Sequence, residues 1–142
     1  MNLERRHRES LLVLGYMYLR MGELERAGRL FSALVALAGS RAENEGAPAS
    51  DALDRLAYAS LAAVELEHGD PGSALDHLRT AMDGRVLSSR EAALHLLRAR
   101  ALWRQDRRDE ARQAVEAFIA LGGRLEGNDG TRVRPGATGG RA

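Results

Sequence analysis

The stretch LLVLGYMYLRMGELERAGRLF, residues 11–31, decides the fold. Leu14, Gly15 and Tyr18 stand at helical spacing, Gly22-Glu23 interrupts, and Ala27, Phe31 and Leu34 restart the period at i, i+4, i+7. The spacing predicts two helices joined by a tight turn, over roughly residues 9–21 and 23–38. Gly15 and Ala27 mark where the helices cross, because only minimal side chains allow close axial approach. Leu11, Leu14, Phe31 and Leu34 are then expected to fill the space around that crossing.

The same order of large, small and turn residues returns at Tyr58, Leu61-Ala62, Gly69, Ala74 and Leu78, and again at His95, Ala99, Leu102, Asp106, Ala111 and Val115. This resembles the tetratricopeptide (TPR) repeat, a stacked helix–turn–helix unit of about 34 residues. Ala27 and Ala74 are 47 residues apart and Ala74 and Ala111 are 37 apart. The larger excess falls on residues 39–50, which are Gly, Ala, Ser, Pro and charge and read as an inter-repeat loop. The smaller one falls near residues 83–87. Local signals agree: Ser50 or Asp51 as a cap before Ala52, Gly69 as a helix stop, Asp70-Pro71 as a restart, and Ser88 with Glu91 at capping-box spacing. The expected fold is all-α: three TPR-like helix–turn–helix repeats in a short right-handed solenoid over residues 1–122. Residues 123–142 are Gly- and Arg-containing and predict a disordered tail.

Composition narrows the function. The net charge is +1. The tail holds four arginines against two acids, so the rest of the chain is close to neutral and demands no anionic partner. All basic residues are Arg and none is Lys, so arginine clusters are weak signals for nucleic acid, and no nucleic-acid partner is expected. There is no Cys, hence no disulfide framework or thiolate site. The basic residues 1–8 and the apolar run 11–19 imitate a leader. Glu4, Glu9 and Arg20 break that pattern, and a cytoplasmic protein without stable membrane insertion is expected.

Chemical motifs are lacking. His7, His68, His77 and His95 form no metal-ligand spacing, and Glu65, Glu67, Asp70 and Asp76 read as a solvated face and a cap. The charged run Glu4 to Glu9 reads as a solvated first turn. No phosphate-binding loop or nucleophile motif is present, so no catalytic residue, cofactor or metal is expected.

In the repeat phase the first helix of each pair lines a concave surface. The expected partner-binding positions are Leu12, Tyr16, Leu19 and Arg20 in the first copy, Ala59, Ala63 and Leu66 (beside Glu67) in the second, and Leu96, Arg100, Trp103 and Arg104 in the third. Leu12, Tyr16 and Leu19 make the first helix apolar nearly all round, so it calls for a cover. That cover is either a segment of this chain, a second copy in a homodimer, or an apolar helix or extended segment of another protein. Tyr16 and Trp103 would anchor such a partner and the arginines would form a polar rim.

Leu11 to Gly22, Glu25 to Ala27 and Phe31 to Leu34, with Leu97 to Asp106, Asp109 to Arg112 and Phe118 to Leu121, resemble the YscY-type chaperones of bacterial type III secretion. The similarity spans residues 10–122, mostly through generic repeat positions. It implies a non-enzymatic chaperone that holds one small apolar secreted component of the export apparatus in its groove. The insertion at 39–50 and the tail depart from that pattern. A translocator-class secretion chaperone and a general TPR protein–protein interaction scaffold are the alternatives.

Overall fold

A computed structural model describes residues 5–45, 51–83 and 87–123. The order of elements is α1 (Arg5–Arg20), α2 (Leu24–Glu45), α3 (Ala52–Glu67), α4 (Pro71–Met82), a single 3-10 turn (Ser89–Glu91), α5 (Ala92–Arg104) and α6 (Arg108–Ala120). Among the described residues there is no strand.

Among the described residues one turn design is used four times. The N–H of Glu23 bonds the carbonyl of Tyr18 (2.8 Å), Asp70 that of Glu65 (2.9 Å), Arg107 that of Leu102 (3.0 Å) and Gly123 that of Phe118 (3.0 Å). Each bond spans five residues, as in a Schellman stop, and needs a left-handed residue just before its donor. Gly22, Gly69 and Gly122 supply it at φ +80, +83 and +88. Asp106 supplies it at φ +59 between α5 and α6, a conformation that Asp tolerates better than most residues. The restarts are capped as expected: Asp51 accepts from the Asp54 N–H (2.9 Å) and Asp70 from the Ser73 N–H (3.1 Å), with Pro71 at the first helical position. The Ser88 N–H and hydroxyl both donate to Glu91.

The helices pack in chain order as α1/α2, α3/α4 and α5/α6, and the pairs meet through α2/α3 and α4/α5. α1 also touches α3, and α3 touches α5, whereas α2/α4 and α4/α6 make no contact among the described residues. α1, α3 and α5 therefore form an inner row. One core cluster joins Leu12, Phe31, Leu34, Leu61 and Val64 across α1, α2 and α3, and a second joins Leu66, Ala74, Leu78 and Ala101 across α3, α4 and α5. Ala99, Leu102, Ala111 and Ala114 close the stack between α5 and α6.

Three expectations change. α1 begins four residues earlier than the apolar period alone suggests, at Arg5. α2 runs through Gly39 to Glu45, so the first seven residues of the supposed loop are helix. The extension is held by Arg41, which reaches back to Asp54 and, at 4.0 Å, to Asp51. Leu14 is not at the crossing but 40% exposed, because Leu12 takes the inward position. The remainder of the insertion, residues 46–50, and the tail from residue 124 lie outside the described residues.

Candidate partner-binding surface

Exposure along the inner row repeats in register. Shifting α1 by the 47- and then 37-residue offsets aligns Glu9, Leu56 and Ala93; Val13, Ser60 and Leu97; Tyr16, Ala63 and Arg100; and Arg20, Glu67 and Arg104. All of these are exposed or half-buried. The open side of α3 is thus the stripe Ala52, Leu56, Ser60, Ala63 and Glu67, spaced by three and four residues as one helix face requires.

This keeps some of the expected positions and moves others. Tyr16 (53% exposed), Trp103 (57%), Arg20, Arg100 and Arg104 are exposed and Ala63 is half-buried. Leu12, Ala59 and Leu66 are buried at 8, 5 and 1% and belong to the packing between helices. Leu19 is half-buried against the first core cluster and Leu96 is half-buried in α5. The correction has one cause. A helix turns 100° per residue, so placing open positions at 12/59/96 and 19/66/103, one residue short of 13/60/97 and 20/67/104, moves them from solvent into the contact between neighbouring helices. Trp103, in register with Leu19 and Leu66, is exposed beside the row rather than on it. Val13 and Leu56, at 59% and 52% exposure, were missed for that reason.

Polar links tie the row together. The Arg100 guanidinium donates to Glu67 (3.3 Å), joining α5 to α3. Arg104 donates to the backbone carbonyl of Leu66 near the end of α3. On α1 the Arg20 guanidinium donates to the Tyr16 hydroxyl (3.3 Å). At the far end the Arg108 guanidinium lies 4.6 Å from the centre of the Trp103 ring and covers part of one face. The row is therefore apolar at Val13, Tyr16 and Leu56, small at Ser60, Ala63 and Ala93, and cationic toward α5.

Beneath the α1 end of the row sits an ion network that sequence reading took for a solvated turn. Arg8, whose side chain is only 11% exposed, pairs with Asp51 and Asp54 (both 3.2 Å), and Arg41 closes the group from α2. Burial pushes the Asp51 carboxyl upward. The Asp54 N–H, the bond from Arg8 and the charges of Arg8 and Arg41 outweigh that and hold it below the ordinary aspartate value. Asp54 is 4% exposed, so this network fixes α1, α2 and α3 as a unit.

Two of the histidines take structural places. His77 Nδ1 lies 2.6 Å from Glu65, linking α4 to α3, with its ring 5.9 Å from that of Tyr58. His95 is half-buried and its Nδ1 has no partner among the described residues. Burial, and then repulsion from Arg98, lowers its pKa below the usual histidine value. Among the described residues no three His, Cys, Asp or Glu side chains come together as a metal site, and no helix is long and apolar enough to cross a membrane. Compared with known proteins, the sequence matches no family model and no curated protein.

Proposed function

We propose that this chain is a TPR-like helical-repeat protein that acts by binding, with the open side of α1, α3 and α5 as its docking surface. The observation that carries this reading is the recurrence of open positions at one register on three adjacent helices. A repeat protein presents such a row to a partner segment laid across it. Tyr16 is the aromatic anchor on the row and Trp103, exposed beside it on α5, is a flanking one, Val13 and Leu56 widen the apolar part, and Arg20, Arg100 and Arg104 form the polar rim. The small side chains of Ser60, Ala63 and Ala93 leave room for the partner's larger ones between these anchors.

The bound segment would be an apolar helix or extended strand that aggregates when free. The resemblance to YscY-type chaperones gives the specific form: a chaperone that keeps one small secreted component of a type III export apparatus soluble until export. A general interaction scaffold is the second reading, favoured by how generic most of the matching residues are. Co-expression with a candidate secreted component tests the chaperone. The partner should remain soluble with the wild-type chain and precipitate with Tyr16→Asp combined with Trp103→Ala. Solubility unchanged by that pair removes the row as the binding surface.

A further inference from the structure

We draw no further inference here: the strongest candidate, the exposed apolar face of α1 at Leu14, Met17 and Met21 with the open hollow along it, carries nothing because nothing in the structure shows what covers it.

Discussion

Gly15 lies directly against the ring of Phe31: a Cβ built on Gly15 would stand 2.6 Å from Phe31 Cε1, well inside contact distance. Phe31 is 0% exposed and cannot swing aside. Gly15→Ala gains about 1 kcal/mol of helix propensity but meets an overpacking penalty of about 1–3 kcal/mol. The expected net loss is up to about 2 kcal/mol, larger for Gly15→Val. Phe31→Leu in the same chain should recover part of it. Urea unfolding of the two single variants and the double variant reads the coupling, and strict additivity would contradict the close crossing.

The ion network under α1 predicts unequal roles for its two carboxylates. Asp54→Ala leaves Arg8 buried with only Asp51 to pair it, and should destabilise by about 3 kcal/mol, the low end for a broken buried pair. Asp51→Ala removes a partly exposed cap and should cost about 1 kcal/mol. Urea midpoints measure both. Equal losses would mean that the network is not organised around Asp54.

His95 gives a pH dependence of known sign. Its folded pKa is lowered by burial and by Arg98. The unfolded chain binds a proton near pH ~6.5 while the folded chain binds it only at lower pH. The contribution is complete above that range and is lost as pH falls from about 6.5 through the folded value. His95→Leu should flatten the change in urea midpoint between pH 7.5 and pH 5.5. The lowered pKa of Asp51 acts only in the more acidic carboxylate range, so the two effects separate. The same slope in wild type and His95→Leu would rule this source out.

Most of the helix boundaries could be read in the sequence, because Gly22, Gly69, Asp70-Pro71 and Ser88 with Glu91 act locally. That Gly15 sits at a helix crossing was legible for the same reason, since only a small residue fits there, whereas its direct contact with Phe31 comes from the structure. The extension of α2 past Gly39 was not, because Arg41 holds it through Asp51 and Asp54 on another helix. Nor was the side of α1 that faces solvent. Leu12, Val13 and Leu14 are equally apolar, so a one-residue choice of phase decides which is core, and only contact with α2 and α3 makes that choice. For Arg8 the charged run looked like a solvated turn because its partners lie more than forty residues away.

Partner binding across the inner row is tested most directly by Trp103, the single tryptophan in the chain and 57% exposed. A candidate partner lacking tryptophan is titrated while the emission of Trp103 is recorded. A saturable blue shift, weakened by Tyr16→Asp on a different helix of the row, is the predicted result. Saturable binding that leaves the emission of Trp103 unmoved and is indifferent to Tyr16→Asp would place the partner elsewhere and contradict the account.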